Sequence, residues 1–283
     1  MQIGIIIPAY RLNLRKVKDI LRNVKTKHTV EKIVLFVHKF RKSELEKIRK
    51  LKIKKLKVFI EKKRKGKIGV IKKSIGFFKS SSIILVINGD IQIRRDSIEN
   101  LLSPYIKYNN VGSTTGKGTI GEKYNRFVNY FNSFVCELHH KTSKKKTKLS
   151  QFYSFRHLPL KIPSDIVSDE AFFECMMKRF GLKNIYVENA IFYYSTPNSI
   201  SKLFEQRRRN FIGNMQVKTR YHYNVSTIIP FNEVTFKTFL IFLFKNLVFM
   251  LFSLFFEILA RIKGMIDYFI LGERPYKWRV VTH

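Results

Sequence analysis

Two adjacent carboxylates, Asp169 and Glu170, follow Ser168 at the start of the run AFFECMMKRFG. One carboxylate of such a pair can serve as a general base, taking the proton from an attacking hydroxyl. The same triplet also suits plain helix initiation, with Ser168 as the cap and acids in the first turn. Asn88-Gly89-Asp90 directly follows the apolar run Ser82–Ile87. An aspartate there could hold Mg2+ or Mn2+ against a diphosphate, or the tripeptide could be an ordinary turn. Gln206-Arg207-Arg208-Arg209 offers guanidinium groups that match phosphate bidentately, or a basic helix face near a membrane. Gly112–Thr119 (GSTTGKGT) has only three residues between Gly112 and Gly116-Lys117 where a phosphate loop needs four, so that chemistry is excluded. The 7 histidines form no triad with Ser or Cys. Cys136 and Cys175 supply neither a disulfide framework nor a zinc cluster, which fits a reducing, cytosol-facing location.

These residues need a scaffold, and the hydrophobic pattern provides one. Continuous apolar runs at 3–8, 32–37, 57–60 and 82–87 read as buried parallel strands, the first ended by Pro8. Helical spacing lies between them at 14–23, 43–51 and 68–78. Alternating strands and helices predict an α/β domain with a mostly parallel sheet and right-handed crossovers. Ligands then bind beyond the carboxyl ends of the strands, at 9–11, 38–40 and 88–90. After Asp96 the pattern is less regular, with a basic, poorly patterned loop at 141–148. A second alternating section predicts a helix over 169–181, a strand over 186–194 and a helix over 200–213.

The 283 residues carry 55 Lys+Arg against 20 Asp+Glu, a net charge of +35 that calls for an anionic partner. Much of it lies in 39–79, where aromatic residues that could stack bases are absent before Phe59, so nucleic acid is not the expected partner. Hydrophobic residues make up 45% of the chain, which excludes charge-driven disorder. The N-terminal apolar run is too short for a signal peptide. Residues 238–256 hold one charge, Lys245, over a length suited to a bilayer. Lys245, Ser253, Glu257 and Arg261 make a thin polar stripe, so the segment either crosses the membrane or lies along its interface. Membrane attachment is expected, on the anionic cytoplasmic face.

In order, these segments resemble the inverting glycosyltransferases of family 2, which have the GT-A fold. IGIIIPAY (3–10) resembles the opening strand and loop, and RKGKIGVIKKSIG (64–76) the G-K-x-x-A-x-N-x-G segment. ILVINGD (84–90) stands at the D-x-D motif, and 155–182 at the stretch with the acidic pair, with Glu170 eleven residues before Gly181. QRRRN (206–210) resembles Q-x-x-R-W. The resemblance covers about residues 1–215 and implies a nucleotide-sugar half (1–95), an acceptor half (96–225) and C-terminal membrane-associated helices (230–283). It implies that Asp90 binds Mg2+ or Mn2+, that Asn88 lies near the ribose, and that Pro8, Ala9, Tyr10, Lys67 and Gly89 line the donor site. Glu170 is implied as base with Asp169 beside it, and Gln206 and Arg209 as holding the diphosphate or acceptor. The acceptor implied is lipid-linked or a glycan. The sequence departs from the family at Val37-His38-Lys39-Phe40, which lacks the base-reading aspartate, at Asn88, at Glu170 in place of Asp, and at Asn210 in place of Trp.

Overall fold

The computed structural model describes residues 1–10, 14–38, 40–62, 65–122, 124–225 and 233–275, with the main chain alone at 10 and 233–235. Arg11, Lys39 and Arg64, which belong to the segments above, lie outside the described residues. Strands β1 (Gln2–Tyr10), β2 (Thr29–His38), β3 (Leu56–Ile60) and β4 (Ile83–Ile87) alternate with helices α1 (Leu14–Asn23), α2 (Lys42–Arg49) and α3 (Gly66–Ile75). They are followed by β5 (Ile91–Ile93), α4 (Ser97–Lys107), β6 (Val111–Ile120), α5 (Arg126–Lys145) and β7 (Phe152–Arg156). The chain continues through α6 (Asp169–Arg179), β8 (Lys183–Tyr194), α7 (Ile200–Tyr221), α8 (Glu233–Lys245) and α9 (Leu247–Met265), with a π-helical turn at Ile266–Ile270.

One eight-stranded sheet has the order β3-β2-β1-β4-β7-β6-β8-β5. Strands β1 to β4 pair in parallel, as do β6 and β8, whereas β7 and β5 run antiparallel to their neighbours. The mixed α/β architecture is that of the GT-A fold. Apolar side chains alternate between two cores because successive strand residues point to opposite faces. Ile3, Ile5 and Ile7 join one core and Ile6, Val34 and Val86 the other. Strand β1 does not stop at Pro8 but runs to Tyr10, since proline there loses only a donor. Its carbonyl remains in use, accepting from Gly89 N at 3.1 Å.

Three expectations are corrected by packing. The basic stretch 141–148 is not a loop throughout: α5 extends to Lys145, buries Ser143 and turns its lysines outward. Helix α7 continues past Gly213 because α6 crosses it there; a Cβ at Gly213 would lie 2.8 Å from the Ser168 Cβ. The apolar run 238–256 is not one helix. Asn246 interrupts it, accepting from Phe249 N at 2.8 Å to cap α9. No helix among the described residues is long and apolar enough to cross a membrane.

Instead, α9 is docked on the domain. Met250, Ser253, Phe256, Ala260 and Gly264 form its buried stripe at helical spacing. Phe256 packs against Phe131 and Phe204, from α5 and α7, at centroid distances of 5.5 and 5.6 Å. Leu251, Phe255, Ile258 and Ile262 on the opposite side are exposed.

The glycines of GSTTGKGT serve the sheet. Strand β6 shifts register against β8 between Gly116 and Lys117, and a Cβ on Gly116 would come within 2.2 Å of the Ala190 carbonyl oxygen. Backbone cannot swing aside as a side chain can. Gly116→Ala is therefore expected to destabilise the protein by about 1–3 kcal/mol, read as a lower melting temperature; unchanged stability would show that the strands can separate freely there.

Candidate active site

The carboxyl ends of β1 and β4 open into a cleft of about 400 Å³, closed on its other sides by α3, α5, α6 and α7. The Asn88-Gly89-Asp90 turn forms part of its floor. It is held by Asn88 N to the Gln151 carbonyl (3.3 Å), Gly89 N to that of Pro8 (3.1 Å) and Ile91 N to that of Asn88 (3.3 Å). The tripeptide is thus a turn and a cleft element at once. The first two bonds tie together β1, β4 and the segment leading into β7, and the third closes the turn. Pro8, Ala9 and Asp90 line the same space. Tyr10 closes β1, but its side chain lies outside the described residues.

Asp169 and Glu170 open α6, where Ser168 caps the helix by accepting from Ala171 N at 3.3 Å. Lys67 reaches both carboxylates, with Nζ 2.8 Å from Asp169 Oδ2 and 2.7 Å from Glu170 Oε1. Gly66 has φ +75°, a left-handed conformation natural to glycine, and it turns the chain into α3 one residue before Lys67. A lysine in the first helical turn opposes the helix dipole, and the two carboxylates answer that opposition. Tyr153 donates to Asp169 Oδ2 at 2.5 Å, and the Lys67 ammonium lies 5.2 Å from its ring centre.

Electrostatics separate the two acids. Burial, with the charge of Glu170 adding to it, pushes Asp169 up to about 6 against the pull of Lys67 and Tyr153. Burial acts on Glu170 in the same direction but is outweighed. The charge and hydrogen bond of Lys67, a main-chain donor and Asp169 together hold Glu170 below the usual carboxylate range. Burial would lower Lys67, yet its two anionic partners raise it on balance. Glu170 is therefore ionised at the cleft wall. Asp169 is the member that holds a proton more readily.

The Gln206–Arg209 run divides its work. Gln206 lines the cleft and is half-buried. Arg209 also lines it, but Nε donates to the Pro275 carbonyl at 2.8 Å and Nη2 to that of Val167 at 3.2 Å. Arg208 is buried against Asp267 and anchors the C-terminal segment to α7. Arg207, outside the residues the resemblance singles out, lines the cleft, with Nε and Nη2 on the two oxygens of Glu257 at 2.8 and 2.9 Å. The apolar tail so contributes Glu257 and Arg261 to the cleft rim. Their place on the polar stripe of 245–261 was the only sign of this in the sequence.

Lys148, His139 and Gln151 also line the cleft and carried no sequence signal, since they come from the irregular middle of the chain. Burial, then the nearby charge of Arg207, lowers Lys148 to about 8. Ten of the eleven expected site residues are brought together: Pro8, Ala9, Lys67, Asn88, Gly89, Asp90, Asp169, Glu170, Gln206 and Arg209. Among the described residues no three His, Cys, Asp or Glu side chains group as a metal cage.

The fold places the chain in a structural class whose solved members include glycosyltransferases. No protein-family model and no curated protein sequence matches it. Among solved structures it is similar to the mannosyltransferase PcManGT from Pyrobaculum calidifontis in complex with GDP-Man and Mn2+. The TM-score is 0.59 at 13% identity, over 97% of this chain and 76% of that one. It is also similar to glucosyl-3-phosphoglycerate synthase from Mycobacterium tuberculosis in complex with Mn2+, UDP and glucosyl-3-phosphoglycerate. There the TM-score is 0.53 at 13% identity, over 77% and 79% of the chains. GalNAc-T7 with UDP, GalNAc and Mn2+ superposes with a TM-score of 0.51 at 13% identity, over 69% of this chain and 43% of that one.

Proposed function

We propose that this chain is an inverting glycosyltransferase, moving a sugar from a nucleoside-diphosphate donor to a hydroxyl of a lipid-linked or glycan acceptor at a membrane surface. One observation carries the reading: on a GT-A scaffold, Asp90 and the Lys67–Asp169–Glu170 cluster face one cleft at the carboxyl ends of the strands. Glu170 takes the proton of the acceptor hydroxyl as that oxygen attacks the anomeric carbon. The bond to the diphosphate breaks as the new one forms, so a single displacement inverts the centre. Lys148, Arg207 and Arg209 give the cleft cationic groups for a diphosphate, with Gln206 beside them. Neighbours solved with Mn2+ support a divalent cation, and the donor set fits one. Mg2+ and Mn2+ commonly use one or two carboxylates plus substrate phosphates rather than an all-protein cage, and Asp90 is such a carboxylate. When bound, the cation offsets charge growing on the departing diphosphate.

A thermal-shift series with UDP and GDP, each with and without Mn2+, tests this reading. A nucleotide at about 100 times its Kd should stabilise the fold by about 2.7 kcal/mol. Asp90→Ala should abolish the Mn2+-dependent part of the shift. If neither nucleotide shifts the wild-type protein under any condition, the reading fails.

The membrane component of the proposal is supported by the exposed face of α9. Val248, Leu251, Phe255 and Ile258, with Phe244 at the end of α8, stand in water beside a chain of charge +35. Such a helix lies in the interface, and basic residues add about 1 kcal/mol each near an anionic leaflet. Co-sedimentation with vesicles containing phosphatidylserine should exceed that with phosphatidylcholine alone. Leu251→Glu combined with Phe255→Glu should abolish it; equal sedimentation of the double variant would refute the assignment of this face.

A further inference from the structure

Five buried side-chain polar atoms in the described residues have no hydrogen-bond partner in the protein, and three of them line the cleft: Asn88 Oδ1, Gln151 Oε1 and His139 Nε2. Their residues lie on adjoining segments. Ile87 of β4 pairs with Phe152 of β7 in antiparallel register, and Asn88 N bonds the Gln151 carbonyl one residue further on. Strand alternation puts Asn88 on the same face as Val86, and Gln151 on the same face as Tyr153. That is the face of the core shared with α6, where the Tyr153 hydroxyl holds Asp169. His139 comes from α5, beside the Leu149 main chain that leads to Gln151.

Leaving buried polar atoms unpaired is costly, so their presence together in the lining of one cleft points to a ligand that pairs them. Its chemistry follows from theirs. Two are amide oxygens, which accept and so repel phosphate or carboxylate oxygen. Burial, together with the nearby charges of Lys148 and His140, drops the His139 pKa to about 3, so the ring is neutral and presents either a donor or a lone pair. Nδ1 lies 3.4 Å from Ser143 Oγ. A hydroxyl group satisfies every one of these atoms, donating to the amides and doing either at the imidazole. A polyol ring presents several hydroxyls at once.

Resting on the glycosyltransferase reading, we propose that Gln151 and His139, with Asn88, form a subsite that reads the hydroxyl groups of a sugar ring. The ring is either the sugar carried by the donor or one borne by the acceptor, and the subsite sets which stereochemistry is used. Its anionic neighbours, the Asp169–Glu170 pair, adjoin it through Tyr153.

The near-isosteric variants Gln151→Met and His139→Phe test this separately. Kd values are measured with Mn2+ for UDP, GDP, UDP-glucose and GDP-mannose, and KM with a total lipid extract as acceptor source. Loss of about tenfold in affinity for the sugar-bearing nucleotide, with that for the bare diphosphate unchanged, assigns the subsite to the donor ring. Unchanged nucleotide affinities with KM raised about tenfold assign it to the acceptor ring. Gln151→Met should melt at or above the wild-type temperature, because it removes a buried polar atom the protein leaves unpaired, while His139→Phe also gives up the contact with Ser143 Oγ and should melt no more than slightly lower. Wild-type affinities and KM in both variants would overturn the subsite while leaving the glycosyltransferase reading intact. Failure of the wild type to bind any of the four nucleotides would overturn both. A fall of several degrees in melting temperature would show the side chains to be structural instead.

Discussion

Glu170→Gln is expected to slow sugar transfer by about 10²–10⁴-fold, the range for removing a positioned general base. Glutamine has the size and shape of glutamate but cannot take a proton. The substitution removes one anion from beside Lys67, leaving that ammonium to Asp169 at 2.8 Å, so the cluster should persist. Affinity for the nucleoside diphosphate should therefore stay within a few-fold of wild type, and the loss should fall on kcat rather than on donor KM. Glu170→Asp keeps the charge but shortens the reach, and should recover part of the rate. The charge of Glu170 contributes to raising Asp169, so Asp169 should titrate below its wild-type value of about 6 in the glutamine variant. Full activity of Glu170→Gln would remove the residue from the proposed chemistry, and equal losses in Asp169→Asn and Glu170→Gln would show the pair acting as one unit.

Lys67→Met should cost about 3–5 kcal/mol of stability, because it leaves the buried Asp169 and the part-buried Glu170 carboxylates facing each other without their cation. Side-chain exposures of 12% for Lys67 and 5% for Asp169 place the contact well inside the protein, where water screens little. The loss should depend on pH. Asp169 has a folded-state pKa of about 6, above its unfolded value; its stabilising contribution is complete below the unfolded value and disappears as pH rises through about 6. Glu170 behaves in the opposite sense, contributing above its unfolded value and losing that contribution as pH falls. Without Lys67 both carboxylates rise, and both become less favourable in their charged forms. Urea denaturation should then show a larger difference between variant and wild type at about pH 7.5 than at about pH 5, where one carboxyl holds a proton. A difference independent of pH would mean that methionine merely packs badly.

The site was legible wherever chemistry and local structure share a segment. Asn88-Gly89-Asp90 ends a strand whose apolar run is continuous, and Ser168-Asp169-Glu170 starts a helix with a standard cap, so position along the element already implied position on the sheet. His139, Lys148 and Gln151 were not legible. Each enters the cleft from a stretch whose own periodicity is weak, and their convergence depends on β7 returning antiparallel between β4 and β6. The role of the tail was half legible. Its apolar content was plain, but the break at Asn246 depends on a single side chain preferring the cap of α9 to the interior of a longer helix.

By itself the sequence determined the apolar strand runs, the helix starts and the order of the acidic and basic motifs, because periodicity and capping are properties of neighbours along the chain. The tertiary structure alone decided that Lys67 joins Asp169 and Glu170 across about a hundred residues, that Arg207 is held by Glu257, and that one stripe of α9 is buried while the other faces out. The physical reason is common to all three. Ion pairing in low dielectric and burial of apolar surface depend on which segments meet in space, and local spacing carries no record of that meeting.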